Sequence, residues 1–273
     1  MKVIISHDID HITVFEHKKD LIIPKFILRS SAELLFGSVS KREYYYRFKE
    51  FLRNKWNNIE ELMDFDEKKN IPSTFFIGVS NGLGLSYSLD HSEYWIKKII
   101  KCGFDVGIHG IAYDDIDEMK REFSIFREIS GLDYFGIRMH YLRHNDKTYT
   151  YLAEIGYLFD SSKYILENPY RIGNMWEFPL HIMDGYIIYD GKRYQRDKID
   201  KIIKRTKNRL SELANLNLKY ISILFHDRYF SDSFLSWKLW YINLIDYLRE
   251  NGFYFISYKD AIKELEKRKS IVN

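Results

Sequence analysis

The chain has 273 residues, 45% hydrophobic and 30% charged, with a net charge of +3. That length holds one or two domains, and the composition supplies a sizeable core, which excludes global disorder and a coiled coil. The charge is too balanced for a nucleic-acid footprint, and the single cysteine, Cys102, excludes an internal disulfide framework and a cysteine-only zinc site.

The start of the chain has three apolar residues, Val3 to Ile5, before polar ones, where a signal peptide needs about 7–15. No run reaches the roughly 18 apolar residues of a membrane span, and the stretch from Asp20 to Phe36 is interrupted by Lys25, Arg29 and Glu33. A cytoplasmic protein is expected. Aromatic residues make up 17%. Most of them suit a core, and some suit stacking on sugar rings.

Val3 to Ser6 opens the chain as a short β-branched strand. Thr74 to Val79, Asp105 to His109, Tyr134 to His140, Tyr157 to Asp160, Tyr220 to His226 and Phe253 to Ser257 follow, each with strand length and composition. Helical patterns lie between them, over Ser92 to Lys101, Asp115 to Ser130, Lys147 to Ile155, Asp197 to Leu213, Leu235 to Glu250 and Tyr258 to Lys267. In the fourth, Ile199, Ile203, Thr206, Leu210 and Leu213 share one face. Gly103, Gly131, Gly156 and Gly252 each follow a helix, where a left-handed cap favours glycine. Repeated β-α units predict an α/β fold with a parallel sheet or barrel, whose chemistry sits at the C-terminal strand ends. Two stretches break the rhythm. Residues 11–70 read as a helical insertion after the first strand. Tyr164 to Asp190, with Pro169 and Pro179, reads as loop and irregular strands. No linker divides the chain, so 1–273 is expected to be a single domain.

Four strand ends carry candidate chemistry. Asp8-Ile9-Asp10 places two carboxylates on one face, since strand side chains alternate. One can bind a metal while the other accepts a proton, although a lone D-x-D also marks an acidic turn. His7 and His11 have the other parity and suit packing or the loop. His109 closes a strand between Gly107 and Gly110, which suits a metal ligand, although a lone histidine is more often structural. Arg138 and His140 share a face in the next strand, where an arginine can hold a carboxylate bidentately or form a rim salt bridge. His226 closes a long apolar strand and suits a general acid near neutral pH.

In this order the motifs resemble those of the polysaccharide deacetylase family, the NodB-homology or family-four carbohydrate esterases, from Val3 to about Ala261. The resemblance implies a distorted (β/α) barrel that hydrolyses N-acetyl groups of amino sugars with a divalent metal, usually zinc. Residue by residue, it implies that Asp8 is the catalytic base, Asp10 and His109 are metal ligands, and Arg138 orients the base. It further implies that the backbone amide of Tyr141 helps form the oxyanion hole and that His226 is the general acid. The stretches Gly136 to Arg143 and Phe178 to Asp184 also look like a subgroup associated with O-antigen or capsule biosynthesis.

The sequence departs from that pattern. Ile9 separates the two aspartates, and His140 replaces a proline. Four residues after His109, where a second metal histidine belongs, stands Tyr113. A catalytic zinc takes three protein ligands, which leaves Asp114, Tyr113, His140 and His181 as candidates for the third, or a weakened site. His140, His181 and Tyr141 are also candidate substrate contacts. Asp184 suits either orienting His226 or capping a loop. Asn81 to Gly84 reads as a flexible loop, too short for a dinucleotide fingerprint. Lys192 to Arg209 holds nine basic and two acidic residues, which suits an anionic sugar carrier or membrane surface, or simply a solvated helix face.

The expected activity is therefore metal-dependent N-deacetylation of an amino sugar in polysaccharide biosynthesis. A catalytically silent barrel that binds a glycan or a biosynthetic partner is the alternative, and a hydrolase of another small amide is a second. The insertion, with Tyr44-Tyr45-Tyr46 and Trp56, is expected to cap the barrel mouth with aromatic surface.

Overall fold

The computed structural model describes residues 1–272, with side chains described for residues 1–267. The strands are β1 (Lys2–Ile9), β2 (Thr74–Ile77), β3 (Asp105–Gly110), β4 (Gly136–Met139), β5 (Phe159–Asp160), β6 (Tyr170–Ile172), β7 (Met175–Glu177), β8 (Leu180–Met183), β9 (Tyr220–Leu224) and β10 (Tyr254–Phe255). The helices are α1 (Ile22–Leu35), α2 (Lys41–Leu52), α3 (Ile59–Lys68), α4 (Leu89–Lys101), α5 (Ile116–Ser130), α6 (Thr148–Ile155), α7 (Asp184–Tyr189), α8 (Ile199–Asn215), α9 (Leu235–Glu250) and α10 (Tyr258–Val272). Among the described residues, no helix is long and apolar enough to cross a membrane.

The ten strands form one sheet in the order β6-β7-β5-β4-β3-β2-β1-β9-β8, with β10 beside the start of β1. All pairings are parallel except β6 with β7. The sheet curls until its two sides meet through one bent segment. β7 pairs with β5, the chain turns at Pro179, and β8 pairs with β9 on the far side. Proline has no N–H for a ladder, so the break between the two short strands falls where the sequence cannot continue one. The N–H of Leu180 donates to the Lys163 carbonyl at 2.7 Å across this join. The result is a distorted (β/α) barrel, with Tyr164 to Asp190 supplying its irregular side.

Alternation along β1 separates two cores. Val3, Ile5 and Ile9 pack outward with the helices. Ile4 faces inward with Phe76, Phe159, Phe178, Tyr220 and Tyr258. Both faces of the strands are buried, which is why they read as nearly continuous apolar runs. Ser6 and Asp8 continue the inward positions begun by Ile4, so the polar end of the strand lies above this aromatic plug.

Local signals set the helix ends. Asp115 caps α5 by accepting from the N–H groups of Asp117 and Glu118. Gly131 ends it at φ +67°, a conformation that costs a side chain. The buried seam of α8 runs through Ile202, Thr206, Leu210 and Leu213. Ile199 and Ile203 flank it half-buried, because the buried face is turned slightly from the expected one. Residues 11–70 hold α1, α2 and α3. Trp56 is buried there under the Arg228 guanidinium, 4.1 Å from its ring centroid, and offers no surface.

Candidate active site

The C-terminal ends of β1, β3, β4, β8 and β9 surround a cavity of about 290 Å3. Asp8, Asp10, His109, His140, Tyr141, Asp184 and His226 all line it. These residues lie as far as 218 positions apart in sequence, from Asp8 to His226, and the parallel strands bring them together.

Asp8 is buried against Arg138, with its Oδ1 3.2 Å from Nη1. Arg138 is itself locked in place. Nη1 donates to the Ser6 hydroxyl at 2.9 Å, Nε to the Ser161 carbonyl at 2.8 Å, and Nη2 to the hydroxyls of Ser161 and Tyr258 at 2.8 and 3.0 Å. Its guanidinium also lies 4.7 Å from the Phe76 ring centroid. Such a fully bonded, immobile cation holds one rotamer of the Asp8 carboxylate.

Asp10, His109 and His140 form a second group, whose ligand atoms lie within 4.8 Å of one another. The His109 Nδ1 lies 3.0 Å from the Arg138 carbonyl oxygen. A carbonyl only accepts, so Nδ1 carries the proton and Nε2 presents a lone pair. His140 is fixed in the opposite sense, with its Nε2 3.3 Å from the Leu83 carbonyl and Nδ1 turned inward. The two inward nitrogens are 2.9 Å apart, and the Asp10 carboxylate lies 3.2 Å from one and 3.4 Å from the other. Two lone pairs and a carboxylate at that separation repel unless a cation lies among them. Nitrogen, nitrogen and oxygen donors with outer carbonyls fixing each ring fit a zinc-type ion. Burial opposes ionisation of Asp10, yet the adjoining His109 and His140 rings and the positive field of His226 hold its carboxyl well below the usual range.

His226 completes the cavity. The carboxylate of Asp184 accepts from its Nδ1 at 2.9 Å and from its backbone N–H at 2.8 Å. Burial resists charge on the ring, but Asp184, Asp10 and Asp8 together raise its pKa well above the ordinary value. Nε2 faces inward, 3.6 Å from Asp10. The chain at Tyr141 and Leu142 takes two successive left-handed conformations, φ +58° and +54°. For non-glycine residues this is strained and marks a site held by its surroundings. Tyr141 lines the cavity, and its ring centroid lies 4.2 Å from that of His140.

Three sequence candidates lie elsewhere. His181 is buried away from the cavity, with Nδ1 accepting from the Ser222 N–H and Nε2 donating to the Glu167 carbonyl. A register shift falls between Leu180 and Ile182, so the simple alternation that would aim His181 with Met183 fails. Its burial, with Arg209 nearby, lowers the ring pKa to about 4. Asp114 is exposed beside the cap of α5. Tyr113 packs under Arg143, whose guanidinium is 4.6 Å from its ring centroid.

The sequence reading also missed residues. His7 packs in the core, bonded to the Phe225 carbonyl and Asp66, but His11 lines the cavity. Its Nδ1 lies 3.0 Å from the His17 Nε2, and the His17 Nδ1 lies 2.8 Å from Asp20. Strand parity could not place it, because β1 ends at Ile9 and the chain turns. Tyr186, Tyr189, Tyr229 and Trp237 form an aromatic wall. Tyr186, two residues past Asp184, and Tyr229, three past His226, lay near motifs.

No family model matches the sequence, and no curated protein matches it. Solved structures do resemble it. One, assigned as a polysaccharide deacetylase from Mycobacterium smegmatis, is 14% identical with a TM-score of 0.65, covering 98% of this chain and 91% of that one. The allantoinase Puue is 14% identical with a TM-score of 0.65, covering 95% and 88%. A CE4 family pseudoenzyme from Bacillus anthracis is 10% identical with a TM-score of 0.50, covering 95% and 64%. At these identities the likeness is one of fold. The chain therefore has the barrel architecture seen in polysaccharide deacetylases and in CE4 proteins.

Proposed function

We propose that this protein is a metal-dependent N-deacetylase acting on an amino sugar of a polysaccharide. The observation that carries the reading is the convergence of three separate units in one cavity. These are the Asp8–Arg138 pair, the Asp10, His109 and His140 donor set, and the Asp184–His226 pair. Together they supply a positioned base, a cation site and a charged acid, which are the parts that amide hydrolysis requires.

Asp10, His109 and His140 would hold the cation. A divalent ion there would supply Lewis acidity toward the acetyl carbonyl oxygen. The remaining chemistry belongs to the chain. Asp8, with one oxygen held by Arg138, takes the proton from the attacking water through the other. The Tyr141 N–H, on the left-handed turn that lines the cavity, donates to the oxygen that gains charge. His226 gives its Nε2 proton to the nitrogen as the C–N bond breaks, and Asp184 stabilises the imidazolium until then. Acetate and a free amine leave.

The barrel fold is shared with an allantoinase, so fold does not choose the amide. The wall of Tyr186, Tyr189, Tyr229 and Trp237 favours a sugar, because flat aromatic faces match the C–H face of a pyranose ring. A silent barrel would rest on Tyr113, which supplies no metal donor. The inward nitrogen of His140 weighs against that reading.

Acetate release from N-acetylglucosamine oligomers, read alongside metal content, tests the assignment. Asp10→Ala is expected to lose metal and activity together. Asp8→Asn is expected to keep the metal and lose at least about 100-fold in turnover, the low end for general acid–base catalysis. Wild-type protein that binds no divalent metal would overturn the proposal in favour of the silent barrel.

A further inference from the structure

Helix α1 carries apolar residues on its outer face as well as its inner one. Its buried residues are Phe26, Ser30 and Glu33. Glu33 pairs with Arg47 at 2.6 Å and with Arg29 at 3.0 Å, so the side facing the protein joins a buried ion-pair cluster to the apolar contacts of Phe26, Ile22 and Ile23. The side facing solvent is apolar. Leu21, Leu28 and Leu35 are 67%, 56% and 85% exposed. At seven-residue spacing they drift only about 20° per repeat and form one stripe. Ile27 and Phe36 flank it, also exposed. An ordinary surface helix keeps its apolar residues toward the core, whereas this one also presents an apolar stripe to solvent.

The charges around the stripe have one sign. Between residues 15 and 42 the exposed charged residues are Lys18, Lys19, Lys25, Lys41 and Arg42, whereas Glu16, Asp20 and Glu33 are not exposed. Arg196, exposed like Arg193 and Lys198 beside it in sequence, reaches the C-terminal end of the helix. The Arg196 guanidinium lies 4.3 Å from the Phe36 ring centroid. We propose that the outward face of α1 docks on a lipid bilayer bearing anionic headgroups.

Apolar side chains between flanking cations match the interface of such a bilayer, with the leucines entering the acyl boundary and the lysines meeting the headgroups. A second copy of the chain fits less well. A two-fold contact through the stripe would bring like-charged rims together. The docked face also adjoins the cavity. Arg29 of α1 donates to the Tyr229 hydroxyl at 3.1 Å, and Tyr229 lines the cavity. Ile22 abuts Gly84, next to Leu83, whose carbonyl accepts from His140. A bilayer on α1 therefore lies beside the cavity, whatever reaction occurs there.

Co-sedimentation of the full chain with vesicles tests this. Phosphatidylcholine vesicles containing phosphatidylglycerol are expected to pellet the protein, pure phosphatidylcholine vesicles much less, and added salt is expected to weaken the binding. Leu28→Glu with Leu35→Glu is expected to reduce binding at least tenfold, and so is the Lys18→Glu, Lys19→Glu, Lys25→Glu triple variant. All five positions are exposed, so melting temperatures are expected to stay near wild type. If the leucine pair lowers the melting temperature, Leu35→Ser alone serves, at the most exposed position. The proposal fails if wild type does not pellet with the anionic vesicles or if the substituted proteins bind as well. It also fails if sedimentation equilibrium shows a dimer that Leu35→Ser converts to monomer, which would make a second copy the occupant.

Discussion

His140 shows how one side chain can be assigned by its neighbours. The Leu83 carbonyl takes its outer nitrogen, so the inner one has only Asp10 and His109 to face. Tyr113, at the position where the family pattern has a histidine, is committed to Arg143. His140→Ala is therefore expected to weaken zinc binding by at least about tenfold, the lower bound for losing even an outer partner of a ligand. Tyr113→His alone is expected to leave zinc affinity nearly unchanged, because the third donor is already present. Competition with a chromogenic chelator measures both, and tightening by Tyr113→His with no loss in His140→Ala would reverse the assignment. Asp8, Asp10, His109, Arg138 and His226 were legible in the sequence because each lies in or just after an apolar strand and falls in a motif of the resembled family. His11 was not, because it lies past the strand end, where alternation no longer constrains direction.

Among the elements, α5 and the loop after β3 are joined by Glu122. Its carboxylate accepts from the N–H groups of Ile111 and Ala112, at 3.2 and 3.1 Å. Burial nevertheless dominates and raises its pKa to about 7. A carboxyl raised in the folded state holds its proton more tightly there. Its contribution is thus full below the ordinary carboxyl range and is lost as pH rises through about 7. Glu122→Gln is expected to flatten the fall in stability between pH 5 and 8, by up to about 3 kcal/mol. Urea melts across that range read the effect, and an unchanged slope would refute it. On β4, a Cβ added at Gly136 would overlap the Phe159 ring. Gly136→Ala is expected to cost about 1–3 kcal/mol by overpacking. It should also lower activity, since Arg138 sits two residues along the same strand. A denaturant midpoint equal to wild type would count against this packing account.

For the whole molecule, metal and fold are linked. Donors from β1, β3 and the turn after β4 come together only when the barrel is formed, so a cation binds the folded state alone. Zinc at a hundredfold excess over its dissociation constant is expected to add about 2.7 kcal/mol of stability. Calorimetry should show a higher melting temperature with zinc for wild type and none for Asp10→Ala. A chelator should reverse the shift.

The alternation of strands and helices, the strand-end polar residues and the glycine caps were all written locally, in apolar periodicity and backbone preference. That is why the barrel and the aspartates and histidines of its cavity, His11 apart, could be read from the chain. Tertiary structure decided the rest. The register shift in β8 turned His181 away, and the outer carbonyls at His109 and His140 chose which nitrogens face inward. The ion pair with Arg47 of α2 drew Glu33 of α1 inward, and Leu21, Leu28 and Leu35 were left outside. None of these has a local signature, because each depends on which distant group occupies the neighbouring space.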